Sequence, residues 1–203
     1  MRYSGSYRPG VLAAAALVAA LVTWPMAGEA AQLLTGQARA VQATVFGLLG
    51  GTTTVLADTG ALGGPSTALQ ASALTGNVPS LLTGETLHAT TIGWSDQVAS
   101  EASLGRLALT VAGTTIGADV VMARALAVLG GAGFGISNIA NLSINGAPIP
   151  VSGAPNQTIL IPGGRVVINE QQTSPASTIV NALHVIVTGV ADVVIGSATA
   201  GIQ

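Results

Sequence analysis

An all-β fold is what this sequence predicts: an antiparallel β-sandwich, with a barrel-like arrangement as the alternative. Three observations lead there. Apolar residues recur with a period near two, as in "GRLALTV", where Leu107, Leu109 and Val111 alternate with other residues. β-Branched residues crowd the same runs, which suits a half-buried pleated surface. Turn signals separate them at short intervals, among them "DTGALGGP", "LTGNVP", "GGAGFG", "INGAP", "IPGG" and "TGVAD". Many short runs with frequent turns describe a sandwich or a barrel.

In chain order the runs predict about ten strands, from eleven candidate runs at 37–47, 52–57, 68–75, 85–93, 96–112, 114–129, 138–145, 157–161, 165–171, 178–188 and 191–199. Gly117–Leu129 is rich in Ala and Leu and has helix as its alternative. Val120, Val121 and the alternation favour a strand. Pro155–Gln172, "PNQTILIPGGRVVINEQQ", reads as a hairpin. Pro162 sets one φ, the two glycines allow the reversal, and Val166 and Ile168 return on one face. Asn169 and Glu170 then fall near the end of the return strand, where such residues cap backbone groups or meet water. Parity counting in 178–188 puts Ile179, Leu183, Val185 and Val187 on one face and Val180, Ala182 and Ile186 beside His184 on the other. Both faces then look apolar, which a sandwich strand with one wet face does not require. The expectation that follows is a second covering layer, from this chain or from another copy.

The first 30 residues read as an export signal. Arg2 and Arg8 precede the apolar run Val11–Val22, Trp24 and Pro25 end it, and the small residues Gly28 and Ala30 suit cleavage after Ala30. Pro25 and Glu29 interrupt too early for a spanning helix, which needs about 20 apolar residues. Residues 31–203 then form one extracellular domain of ordinary size. With no cysteine, it has no disulfides, thiol chemistry or zinc–thiolate site.

Only 7% of the residues are charged, against about a quarter in typical proteins. Without Arg2, Arg8 and Glu29, four basic and seven acidic side chains remain, and none of the basic ones is Lys. Nucleic-acid binding needs a positive face, which four scattered arginines do not build. Disorder goes with low hydrophobicity and high charge, the reverse of this composition.

Candidate chemistry is sparse. His88 and His184 are the two histidines, each read as a strand residue, since a metal site needs several converging ligands. Asp58, Glu85, Asp96, Glu101, Asp119, Glu170 and Asp192 show no spacing that pairs two carboxylates for glycoside hydrolysis. No G-x-S-x-G elbow presents a serine. Gly130–Gly135 fails the phosphate-loop patterns and reads as a hairpin loop. Of Phe46, Trp94 and Phe134, which could form a sugar platform, two are expected in the core. Asn141–Ser143 and Asn156–Thr158 are acceptor sequons. No catalytic, cofactor or metal residues are assigned, and no enzyme activity is expected.

Several stretches taken together resemble the bacterial choice-of-anchor P family: "ARAVQATVFG", "NLSINGAPI", "PNQTILIPGGRVVINEQ" and "STIVNALHVIVTGVADVVIGSATAGI", in that order over most of residues 36–202. The resemblance implies an exported surface protein whose shared domain is joined to differing envelope anchors, with no assigned activity and no catalytic residues to transfer. "SATAGIQ" brings no sorting motif, apolar tail or basic end, so release or non-covalent retention is expected here. The combined expectation is a secreted or cell-surface structural or interaction protein. Its partners would be itself, as a homo-oligomer or filament, or cell-envelope components, with no nucleic acid and no transmembrane segment once the signal is removed. A glycan- or ligand-binding module is the alternative.

Overall fold

Thirteen strands and no helix make up the described part of the chain, residues 32–48 and 50–203 of a computed structural model. The export signal read at residues 1–30 lies outside the described residues. The strands are β1 (Leu34–Gly47), β2 (Gly50–Asp58), β3 (Thr67–Val78), β4 (Leu82–Gly93), β5 (Gln97–Val111), β6 (Thr114–Val128), β7 (Phe134–Ala140), β8 (Ser143–Ile144), β9 (Ala147–Pro148), β10 (Gln157–Ile161), β11 (Gly164–Thr173), β12 (Ser177–Val187) and β13 (Ala191–Ile202). They form two antiparallel sheets packed face to face. Sheet one has the order β10-β11-β12-β13-β1-β2. Sheet two runs β3-β4-β5-β6-β8-β9, and β7 also pairs with β6. This is a β-sandwich.

Almost every neighbour in a sheet is also the neighbour in sequence, so tight turns set the register. The exceptions are β6 with β8, and β1 with β13, where the two ends of the described chain pair in the middle of sheet one. Leu33 and Gln203 exchange backbone hydrogen bonds of 3.1 and 3.0 Å beyond the last strand residues. The hairpin expected at Pro155–Gln172 is β10–β11, with Ile159 opposite Val166 and Gly163 at φ 71° in its turn. Gly117–Leu129 lies in β6 and its one-residue overhang, a strand as the alternation predicted. The run expected at 138–145 is instead β7 from Phe134 and the short β8. Phe134–Ile136 had been hidden by the glycines around it.

Each long strand changes phase once, midway along its length. In sheet one Asn169, Ala182, Gly196, Ala40 and Ala57 lie at the same level of β11, β12, β13, β1 and β2, between flanking pairs such as Asn181–Ser197 and Leu183–Ile195. Asn169, Gly196 and Ala57, on alternate strands, have φ of 53°, 63° and 49°. Sheet two has a matching row through Thr86 and Arg106, at φ 52° and 47°, with a register shift between β4 and β5. Residues bent into the left-handed region on alternate strands shift the alternation by one, and in sheet one they do so without breaking the one-to-one register. β12 has no such residue but keeps register with Asn169 and Gly196 on either side, and its buried positions are Thr178, Val180 and Ala182, followed by Leu183, Val185 and Val187. Ile179, Asn181, His184 and Ile186 face outward and are partly buried. This corrects the face assignment from parity. Val180 and Ala182 belong to the core, and β12 is not apolar on two faces.

The core divides at these rows. Beyond them lie Val41, Leu82, Leu109, Ile116, Val166, Ile168, Leu183 and Ile195, all fully buried or nearly so, while Leu87, Leu104 and Val121 adjoin the sheet-two row on its other side. Toward the chain ends the facing positions are small: Ala38, Ala89, Ala102, Ala198 and Ala200, with buried Thr91, Ser100 and Thr178. The sheets approach closely there. A methyl group on Gly36 would sit 2.5 Å from Thr91 Oγ1. Ser100 Oγ lies 2.7 Å from Thr91 Oγ1 and donates to the Thr199 carbonyl at 2.6 Å, which ties the two sheets together through the core.

Candidate functional site

The outer face of sheet one carries the molecule's densest polar cluster. Counting outward from the β12–β13 turn at Gly189 puts His184 opposite Val194, with Asp192 on the diagonal. On the other side, the phase shift at Asn169 turns Glu170 outward, opposite Asn181 and diagonal to His184. Glu170 Oε2 is 2.8 Å from His184 Nδ1 and accepts Asn181 Nδ2–H at 2.7 Å. His184 Nε2 is 2.9 Å from Asp192 Oδ1. The imidazole is only 14% exposed, with Val167 and Val194 opposite it on the two neighbouring strands. Each ring nitrogen faces a carboxylate, so a ring carrying both protons donates to both. The cluster joins β11, β12 and β13 across the sheet, and neither ring nitrogen is left to act as a base toward a ligand.

The sequence places Glu170 and Asp192 far apart, and the structure brings them together on His184. The remaining candidate carboxylates sit elsewhere. Asp58 pairs with Arg39 at 3.0 Å, Glu85 with Arg106 at 3.6 Å and Glu101 with Arg124, while Asp119 accepts from Asn141 at 2.6 Å. Burial alone would raise the Asp58 carboxyl. Hydrogen bonds from Gln37 and the Gly60 N–H, and the Arg39 guanidinium, outweigh it and hold the group below the usual range. His88 lies on the outer face of β4, opposite Ser72 and Ser103. Among the described residues no three His, Cys, Asp or Glu side chains group as a metal site would require.

Asn169 and Glu170 do not lie at a strand end, because β11 continues to Thr173. Asn169 is buried. Its amide donates to the Gly153 carbonyl at 3.0 Å and its oxygen accepts from Gln171, so it caps the loop before β10. Both sequon asparagines are also engaged: Asn141 with Asp119, and Asn156 with the Gln171 N–H at 3.0 Å. Within Gly130–Gly135, Gly130 sits in the β6–β7 turn at φ 70°, and Gly133 and Gly135 serve packing. A methyl group at Gly135 would collide with the Val180 side chain, so glycine lets β7 lie against β12.

Phe46, Trp94 and Phe134 are all exposed, contrary to the expectation that two of them are core. Each sits in a turn or near a strand end, and the closely spaced sheets are filled by aliphatic and small side chains. Phe134, 58% exposed, joins Ile136, Ile92, Leu126 and Ala99 along a shallow groove of about 410 Å³ on the outer face of sheet two, beside the Glu101–Arg124 pair. Small Ala99 between larger neighbours makes the hollow. Sequence patterning missed this groove because its residues come from four strands; only the register aligns Ile92 with Ala99, Ala99 with Leu126 and Leu126 with Phe134.

Among the described residues no helix is long and apolar enough to cross a membrane. Comparison with protein-family models, with curated proteins and with solved structures found no match. What stands on the geometry is the class, an antiparallel two-sheet sandwich with a polar clamp on one outer face and an apolar groove on the other.

Proposed function

We propose that this chain is an exported structural or interaction protein of the cell exterior, without catalytic activity, of the choice-of-anchor P kind. One observation carries the reading. Most ionisable side chains among the described residues are committed to partners, His184 to two carboxylates and Glu101 and Asp58 to arginines, while the long uncharged edge strand β3 is turned outward. That distribution suits a surface that meets other surfaces. The signal-like start and the near absence of charge support the same location.

Fractionation of cells expressing the full chain, with N-terminal sequencing, tests this. The expected result is an envelope or extracellular protein beginning at Ala31. An intact cytoplasmic chain overturns it. Glu170→Gln should lower stability by about 1–2 kcal/mol through its lost partners. A hydrolytic activity abolished by that change in a folded protein would show that the clamp is a catalytic site.

The sheet-two groove favours a second reading, a glycan- or ligand-binding module. An exposed ring beside a carboxylate and a guanidinium is a combination that sugars use. Glycan binding lost in Phe134→Ala and Arg124→Ala, with the fold kept, would establish it.

A further inference from the structure

We infer that β3 pairs with β3 of a second copy, joining two sheet-two faces across a two-fold axis. The inference rests on the interaction-protein reading and names its partner. Four edge strands are poor templates. β9 has two residues and ends in Pro148, and β10 has five and runs into Pro162. The Gly135 carbonyl of β7 already accepts from Gln171 at 2.9 Å, and β2 begins with two glycines and ends in Asp58. β3 differs. It spans 12 residues, Thr67–Val78, with no charge and no proline, and among the described residues β4 is its sole strand partner. Sheet edges in soluble proteins are ordinarily guarded by charge, proline or short length. Leu74, at its middle, is 88% exposed.

A free edge calls for an extended strand, and the sequence of β3 specifies which one. "ALQASAL", Ala68–Leu74, is close to self-complementary when paired antiparallel about Ala71. Ala68 then meets Leu74, Leu69 meets Ala73, Gln70 meets Ser72, and Ala71 meets itself. Each large side chain faces a small one, and each polar side chain faces a polar one. Cross-strand pairs of these kinds stabilise antiparallel sheets. The phase shift at Leu74 falls at the outermost pair, so the centre of the register is regular. Two-fold pairing closes on itself and yields a dimer rather than a fibre.

Charge exchange on the outward side chains Gln70 and Ser72 tests both the edge and the register. The full chain is expressed, and the protein is recovered from whichever fraction holds it. Mass is then followed by light scattering over a dilution series, with circular dichroism as the check on folding. The wild type should be a dimer. Gln70→Lys with Ser72→Lys sets Lys against Lys and should weaken dimerisation at least tenfold. Gln70→Lys with Ser72→Glu sets Lys against Glu at both places and should restore the dimer. Leu160→Lys on β10 should leave the mass unchanged. A monomeric wild type at the highest soluble concentration overturns the pairing, as does a dimer broken by Leu160→Lys and untouched by the β3 changes. The fraction that holds the protein separately tests its location.

Discussion

The two halves of the core solve the same packing problem with different materials. Beyond the phase-shift rows, Leu, Ile and Val from both sheets interdigitate at ordinary sheet separation, about 10 Å. Toward the chain ends, alanines face alanines, and the buried hydroxyls of Thr91 and Ser100 link the layers. The glycine at 196 sits between the two regimes. A methyl group there would lie 3.3 Å from Ala182 Cβ and 3.5 Å from the Ala102 carbonyl. One half therefore gains stability from buried apolar area, and the other from close approach and satisfied polar groups. The two should fail to opposite kinds of substitution.

The largest effect is expected from emptying the aliphatic half. Leu183 is fully buried beside the phase shift of β12. Leu183→Ala removes that side chain and leaves a cavity, so chemical denaturation should show a loss of about 2–5 kcal/mol. A loss below about 1 kcal/mol would mean that the half collapses around the gap and that its packing is no tighter than its neighbour's.

The alanine half should instead reject added volume. Ala102 has no exposed surface and packs with Ala38 and Ala89 between the sheets. Ala102→Leu should cost about 1–3 kcal/mol by overpacking. If Ala102→Leu raised the denaturation midpoint, the small-residue half would be underfilled rather than close-packed, and the contrast would fail.

Much of this was legible in advance, and the limits have physical causes. Hairpins and strand positions followed from alternation and turn residues, because most neighbours in each sheet are also neighbours in sequence. Faces did not follow beyond the phase shifts, since a single residue at positive φ reverses every later position. Gly196 advertises that conformation, whereas Ala57, Thr86 and Arg106 do not. The Glu170–His184–Asp192 cluster needed two hairpin registers and one such shift together. Counting from the Gly189 turn could have found the His184–Asp192 half; nothing local marked the Glu170 half.

A smaller effect should come from the polar link. Ser100→Ala deletes the hydroxyl that donates to the Thr199 carbonyl and meets Thr91. Those two groups stay buried, one without its donor, so the loss should be about 1–2 kcal/mol. Ser100→Ala is nearly isosteric, and a neutral result would assign the closeness of the sheets to alanine packing alone.

The smallest effect concerns charge at the margin of that thin half and carries a pH signature. Asp58 ends β2 next to the phase-shift residue Ala57 and holds Arg39 and Gln37 of β1 on the outer face. Burial raises its carboxyl, but the hydrogen bonds from Gln37, Gly60 and Arg39, with the Arg39 charge, win and lower it from the ordinary 3.8. A group whose folded value lies below its unfolded value stabilises the fold above the unfolded value. That contribution is lost as pH falls through the folded one. Wild type should therefore exceed Asp58→Asn by a constant margin at neutral pH, about 0.5–1 kcal/mol for a partly exposed pair. The margin should begin to shrink as pH drops toward 3.8 and should fade in stronger acid. Denaturant midpoints of both proteins between neutral and strongly acidic pH supply the measurement. A margin that grows on acidification would mean that burial outweighs the partners of Asp58. The edge of the alanine half would then be held by its backbone ladder and not by this ion pair.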